Sequence, residues 1–261
     1  MKPEGQGAVA AAGVRVVVRN LAKSFRGQPV LRGIDLEVAP GEMLVLMGPS
    51  GSGKSVFLRH LIGLETPDSG EVLLDGEAPS EELRSRLRLA MVFQSGGLLN
   101  SLTVAQNVGL YLSEHRLASP AEIERIVMEK LALVRLAPDA AGKLPAELSG
   151  GMRRRAAIAR ALTMEPQLIL VDEPTAELDP LVALAIGREI VSLNRRTRAT
   201  TIVVTHDRDL AFGIAHRIAF LVDGKIAAVG TPDALRKTEL PLLRDFLAAD
   251  FSPEPHPANH A

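Results

Sequence analysis

An α/β fold with a mainly parallel sheet is what this sequence predicts, and three observations predict it. Short, continuously apolar runs at residues 43–47, 168–171 and 201–204 have the length of strands buried on both faces. A glycine-rich turn, GPSGSGKS at 48–55, joins the first run to a helical-looking stretch at 55–62. Residues 181–195 read as a helix between the second and third runs, which makes a βαβ unit and therefore a parallel pair.

Taken in order, residues 1–13 read as a flexible leader: small residues with a proline and an acid, lacking the apolar centre of a signal peptide. A single domain, identified below as nucleotide-binding, is expected over 14–248. Its β-branched run at 14–18 is a strand, with Phe25 in the loop that follows, and 34–38 alternates apolar and acidic residues as a half-exposed strand should. Pro40-Gly41 turns the chain into the buried strand before the glycine loop, and 71–74 ends in the hairpin-type turn Asp75-Gly76. These early strands form an N-terminal antiparallel β-subdomain.

From about 98 to 163 the pattern is helical and reads as an inserted α-helical subdomain. Within it, 121–136 carries Ile123, Ile126, Val127, Leu131 and Val134 near helix spacing, with Glu122, Glu124, Arg125 and Glu129 between them. Pro120 suits the first turn of this helix and Pro138 its exit. Residues 217–222 and 225–229, joined by Asp223-Gly224, form a closing hairpin, and the proline-rich stretch 249–261 is an unstructured tail.

The 261 residues are 46% hydrophobic and 23% charged, which suits a globular fold rather than a disordered chain or a coiled coil. A formal net charge of −1 argues against a general nucleic-acid binder. Zero cysteines exclude disulfides and thiolate metal sites. No stretch approaches the roughly 20 apolar residues that cross a bilayer as a helix, so any membrane contact goes through a partner.

Gly48, Gly53, Lys54 and Ser55 fall on the phosphate-loop pattern G-x-x-x-x-G-K-[ST], with Pro49, Ser50, Gly51 and Ser52 inside it and Val56 after it. Glycines let successive amides point into one cup, and the following helix adds the positive end of its dipole. Lys54 reaches outer phosphates and the Ser55 hydroxyl ligates Mg²⁺. This is a P-loop NTPase core, and the motif alone does not choose the nucleotide. Asp172 and Glu173 end an apolar strand: one carboxylate can hold Mg²⁺ through water while its neighbour, across the pleat, orients an attacking water. The alternative is a solvated strand end. His206, ending the next strand, bonds a terminal phosphate or the water, or is structural; Phe25 stacks on a purine or packs in the core. Ligands of such sheets gather at the carboxyl ends of the strands, where the phosphate loop, Asp172, Glu173 and His206 all lie.

Leu148-Ser149-Gly150-Gly151-Met152, followed by a helix over 153–162, resembles the signature of the ATP-binding subunits of ABC transporters. Physically, Ser149 and the exposed amides of Gly150 and Gly151 cap a helix start and make a second anion site. The resemblance covers about 14–230 and implies a homodimer paired head to tail, each ATP lying between one copy's phosphate loop and the other copy's signature. It also implies Gln94 as the Q-loop residue and a metal contact, Glu177-Leu178-Asp179 as the D-loop, His206 as the switch histidine and Phe25 at the aromatic A-loop position. Glu177 departs from the small residue common there.

Residues 93–99, Leu102-Thr103-Val104, Asn107-Val108, Ser113-Glu114-His115 and Gly151-Met152-Arg153-Arg154-Arg155 are similar to the Mla/Mce-type subfamily that moves phospholipids or other hydrophobic lipids in bacterial envelopes. That likeness implies transmembrane permease subunits as partners, allows for a lipid-carrier protein and a small regulatory subunit, and places the chain on the cytoplasmic face of the inner membrane. At least two of Arg153, Arg154 and Arg155 are expected to be a solvated charge run. Alternatives are an ABC ATPase for another cargo, or one acting on DNA or ribosomes. Chromosome-maintenance members insert long coiled coils between phosphate loop and signature, where this chain has about 90 residues, and translation-related members usually carry two nucleotide domains in one chain. A small-molecule kinase leaves the second anion site unexplained.

Overall fold

The computed structural model describes residues 13–94, 96–176 and 178–248. The expected leader and tail lie outside the described residues, apart from Gly13, which is packed: a Cβ there would strike the Gly41 amide and Thr200.

The first sheet is antiparallel, in the order β2-β1-β4, from β1 (Val16–Phe25), β2 (Gln28–Val38) and β4 (Ser69–Leu74). β1 runs further than the β-branched residues at its start suggest, carried past Asn20 by bulges. Phe25 is therefore the last residue of a strand, paired with Gln28, and not a loop residue. The Asp75-Gly76 turn is present, both residues having positive φ, but it closes only a single bridge between Leu74 and Glu77.

The second sheet contains β3 (Met43–Met47), β5 (Leu89–Val92), β6 (Leu168–Asp172), β7 (Thr200–Thr205), β8 (Arg217–Val222) and β9 (Lys225–Gly230), in the order β5-β6-β7-β3-β8-β9. Its pairs are parallel except the closing β8–β9 hairpin. The period of two along β3 feeds two cores. Met43, Val45 and Met47 face one, while Leu44 and Leu46 face the other. β6 divides in the same way, with Ile169 and Val171 opposite Leu168 and Leu170.

The second of these cores is closed by the antiparallel sheet and by Phe57, Leu58 and Leu61 of α1 (Lys54–Leu61). The first is closed by the helices that begin after a short α2 (Glu81–Arg86): α3 (Val104–Glu114), α4 (Pro120–Leu133), α5 (Gly150–Thr163), α6 (Pro180–Thr197) and α7 (Arg208–Ile214). α8 (Pro232–Arg236) and α9 (Pro241–Ala248) follow, contributing Leu235 and Leu243.

α3 and α4 each start at a capping box, Thr103 with Gln106 and Ser119 with Glu122, each cap contributing about 1 kcal/mol. They approach closely because residue 109 is glycine: a Cβ there would sit 2.7 Å from Ile123. Pro138 does not end the segment after α4 but opens a 3₁₀ turn, Pro138–Gly142. Among the described residues no helix is long and apolar enough to cross a membrane.

Two glycines far apart in sequence crowd one carbonyl. A Cβ on Gly53 would lie 3.2 Å from the Val30 oxygen and 2.7 Å from Leu31, and one on Gly224, in the β8–β9 turn, would strike the same Val30 oxygen. The neighbouring Arg32 N–H donates to the Gly224 carbonyl at 2.8 Å.

Candidate functional site

The site is assembled where β3, β6 and β7 end. Between β3 and α1 the chain makes its glycine turn against the body of the protein: a Cβ on Gly48 would strike the Leu221 carbonyl of β8. Gly53 holds φ at 103°, a value that side-chain-bearing residues rarely adopt, and supplies no cap to α1. The first amides of α1 are thus left without a side-chain acceptor, and the buried Ser52 hydroxyl has no partner.

Lys54 is buried at 6% exposure, and its ammonium donates to the Gly48 and Pro49 carbonyls at 2.9 and 3.0 Å. It lies 3.6 Å from Glu173 Oε1. Burial lowers the Lys54 pKa, opposed by the Glu173 and Asp172 carboxylates. The Ser55 hydroxyl donates to Asp172 Oδ1 at 3.0 Å. Asp172 is pushed up by burial; the Ser55 hydrogen bond holds it down, and the adjacent Glu173 charge pushes it further up.

Glu173 is placed by a mechanism that pleat alternation does not describe. β6 ends at Asp172, and Glu173 turns into the left-handed region with φ 44°, its N–H donating to the Val204 carbonyl at 2.9 Å. For a residue with a Cβ this conformation is sparsely populated and costs on the order of 1–3 kcal/mol, so the surrounding bonds must hold it. Glu173 Oε2 accepts from the Thr205 hydroxyl at 3.2 Å and from the His206 amide at 3.4 Å, and bonds His206 Nδ1 at 3.0 Å. Lys54, Glu173 and His206 therefore form one connected cluster beside the Ser55–Asp172 pair, with Lys54 and Glu173 buried and His206 exposed at its edge.

The donor set fits a polyphosphate with Mg²⁺. A buried ammonium, free helix amides and an unpartnered hydroxyl favour anions, while a hydroxyl and a carboxylate oxygen suit a hard cation. Among the described residues no group of three or more His, Cys, Asp or Glu could hold a metal.

Other expected site residues lie apart from this cluster. Phe25 is 38% exposed rather than a core residue, and the Lys23 ammonium sits 5.4 Å from its ring centre. Gln94 is exposed, and its carboxamide makes no hydrogen bond to Ser55 or Asp172 among the described residues. Ser149 caps α5, its hydroxyl accepting from the Met152 amide at 3.3 Å. Gly150 is exposed but Gly151 is buried, contrary to the expectation of two exposed amides: a Cβ on Gly151 would lie 2.7 Å from Val182. No hydrogen bond joins 148–152 to the phosphate loop among the described residues. Asp179 caps α6 through the Leu181 and Val182 amides, Leu178 packs near Gly150, and Glu177 lies outside the described residues.

The arginine run is where sequence reasoning failed. Only Arg153 is exposed. Arg154 is buried at 7% exposure and donates to three main-chain carbonyls: Gln94 at 2.9 Å and Pro174 and Ala176 at 2.8 Å each. Arg155 donates to the Arg135 carbonyl at 3.1 Å. Helix spacing gives no signal that singles out Arg154, because Arg153 and Arg155 also lie three and four residues before buried residues of α5.

Residues 31–176 match the family model described as ABC transporter. The chain is 42% identical, over 84% of its length, to the sulfate/thiosulfate import ATP-binding protein CysA of Caulobacter vibrioides. It is 40% identical, over 90%, to the "Probable ribonucleotide transport ATP-binding protein mkl" of Mycobacterium leprae. It spans 65% and 69% of the lengths of those relatives. Among solved structures it resembles a dimeric ATP-binding cassette in a post-hydrolysis state bound to ADP and Pi, with TM-score 0.76 and 33% identity over 83% of this chain and 98% of the other.

Proposed function

Because this chain belongs to the ABC transporter family, of which it is an ATP-hydrolysing member, we propose that it powers a membrane permease whose cargo is a phospholipid or another hydrophobic lipid of a bacterial envelope. The observation that carries the catalytic reading is the Lys54–Glu173–His206 cluster beside the Ser55–Asp172 pair.

In this reading Lys54 binds the outer phosphates of ATP, helped by the turn Gly48, Pro49, Ser50, Gly51, Ser52 and Gly53 and by Val56 at the start of α1. Ser55, Gln94 and Asp172, the last through water, would hold Mg²⁺, which would supply charge neutralisation at the phosphates. Glu173 orients the attacking water and accepts its proton, with His206 fixing the carboxylate from the open side. Phe25 stacks on adenine. Two copies pair head to tail, so that Leu148, Ser149, Gly150, Gly151 and Met152 of one reach the nucleotide held by the other, with Glu177, Leu178 and Asp179 along the seam. A dimeric cassette of the same fold supports the pairing of two copies. The domain occupies 14–248 with its helical subdomain at about 98–163, and works at the cytoplasmic face of the inner membrane through its permease.

Replacing Lys54 by alanine removes charge-assisted hydrogen bonds of about 1.5–3 kcal/mol. ATP affinity should fall by about 10- to 100-fold, measured by titration calorimetry; unchanged affinity would refute the phosphate-loop assignment.

The lipid reading rests on the segment around Gln94 and on 151–155. The identity to a sulfate importer favours a second reading, an oxyanion cargo. Affinity purification of the chain from its native membranes, with identification of the permease and then of the cargo that stimulates hydrolysis in the reconstituted complex, decides between them. Stimulation by sulfate and not by phospholipid would sink the lipid reading.

A further inference from the structure

α5 and α6 meet across a seam that holds complementary charged atoms without joining them. Glu189 of α6 is 8% exposed, and neither carboxylate oxygen has a hydrogen-bond partner. Arg155 of α5 has a buried Nε that is likewise unpartnered, while its Nη1 is held by the Arg135 carbonyl. A buried carboxylate with no partner is costly, so it is expected either to take up a proton or to find a cation. Burial pushes the Glu189 carboxyl up to about 7, with Arg155 first and Arg135 second pulling the other way. Both arginines are close enough to act on its charge without bonding it.

Room for rearrangement exists at the same seam. A cavity of about 260 Å³ lies between α4, α5 and α6, with Glu189 on its wall beside Val134, Ile158, Leu162 and Leu193. The other charged groups around it are Lys130 of α4, Arg88 before β5, Glu165 after α5 and Arg196 of α6. Arg88 faces Glu165 at 3.9 Å, although its buried Nε has no hydrogen-bond partner, and Lys130 faces Glu129 at 3.6 Å; the cations that act on the Glu189 charge are Arg155 and Arg135. Arg155 does not itself line that space, and a small shift of α5 against α6 into it is the move that would bring Arg155 to Glu189.

We infer that Glu189 is a positioning residue for the hydrolytic reaction: ionised, it pairs with Arg155 and draws α5, and with it Ser149 and Gly150, into a second position. This rests on the reading of 148–152 as a nucleotide contact, but the pairing itself does not. The linkage has a definite sign. A carboxyl whose folded pKa is raised favours the described arrangement when protonated, and that contribution is lost as pH rises through about 7. Above that pH the paired arrangement gains.

The test uses the full chain and three readouts between about pH 6 and about pH 8. Infrared difference spectra should contain a carboxylic-acid C=O band at the lower pH that disappears at the higher one and is missing from Glu189→Gln. The thermal midpoint of the wild type should change over this range more than that of Glu189→Gln. The ratio of ATP hydrolysis at high to low pH should differ between the two proteins by about threefold or more, Arg155→Met should abolish the same dependence, and Arg155→Lys should restore part of it. If Glu189→Gln does not fold, the profile of Arg155→Met decides alone. No titrating band, or parallel pH profiles in all variants, overturns the pairing. A titrating band whose loss leaves the hydrolysis profile unchanged overturns only the positioning role, and leaves the Lys54 result to judge the nucleotide assignment.

Discussion

Replacing Glu173 by glutamine should leave ATP binding intact and slow hydrolysis by about 10²- to 10⁴-fold, the range supplied by a positioned general base. The isosteric amide keeps an oxygen for Thr205 and His206, so the backbone turn at φ 44° and its bond to Val204 survive. What is lost is the negative charge 3.6 Å from Lys54 and the capacity to accept a proton. ATP affinity should hold or rise, because a carboxylate beside bound triphosphate repels it. A stable ATP-bound dimer should accumulate, visible by size-exclusion chromatography with multi-angle light scattering. Wild-type turnover in this variant would remove Glu173 from the chemistry.

The second large effect is structural. Arg154→Met keeps much of the side-chain volume but strands the Gln94, Pro174 and Ala176 carbonyls that the guanidinium now holds. Hydrogen bonds to a charged group contribute about 1.5–3 kcal/mol each and are not additive, so a total loss of about 3 kcal/mol or more is expected. For a domain of this size that lowers the thermal midpoint by about 6–12 °C. Lysine should not rescue it, since a single ammonium cannot span three carbonyls on two segments. Arg154 also ties α5 to the stretch after β5 and to the stretch after Glu173, so hydrolysis should fall in the protein that remains folded. A variant with an unchanged midpoint would show that these bonds carry little.

The sequence made the central sheet and its phosphate loop legible because their signals are local. Residues 43–47 are apolar at every position, as a strand buried on both faces must be, and the glycine pattern leaves little choice about the turn after it. The inserted helices were legible from their apolar spacing and the proline at residue 120. β5 was not seen, because four residues that alternate between half-buried and buried carry too short a period to read. The length of β1 was missed because bulges shift its register, and bulges have no simple sequence signature here. The gathering of the phosphate loop, Asp172, Glu173 and His206 at the strand ends was readable, but the turn that places Glu173 was not: a left-handed conformation at a glutamate depends on contacts made by β7, far away in sequence. Arg154 was misjudged because helix phase treats the three arginines alike, and what buries this one is the carbonyls of stretches after β5 and after Glu173 that are distant in sequence.

The shared contact at the Val30 carbonyl means that the stretches around residues 30, 53 and 224, the last more than a hundred positions from the others, cannot vary independently. A loop transplanted from another protein would seat here only if the recipient also kept residues without side chains at 53 and 224, since a Cβ at 224 would strike this oxygen and one at 53 would press on it and on Leu31. The tip of a surface hairpin thereby becomes a lever on nucleotide affinity, and a screen for altered ATP binding should recover changes at position 224 although that residue belongs to no part of the reaction centre.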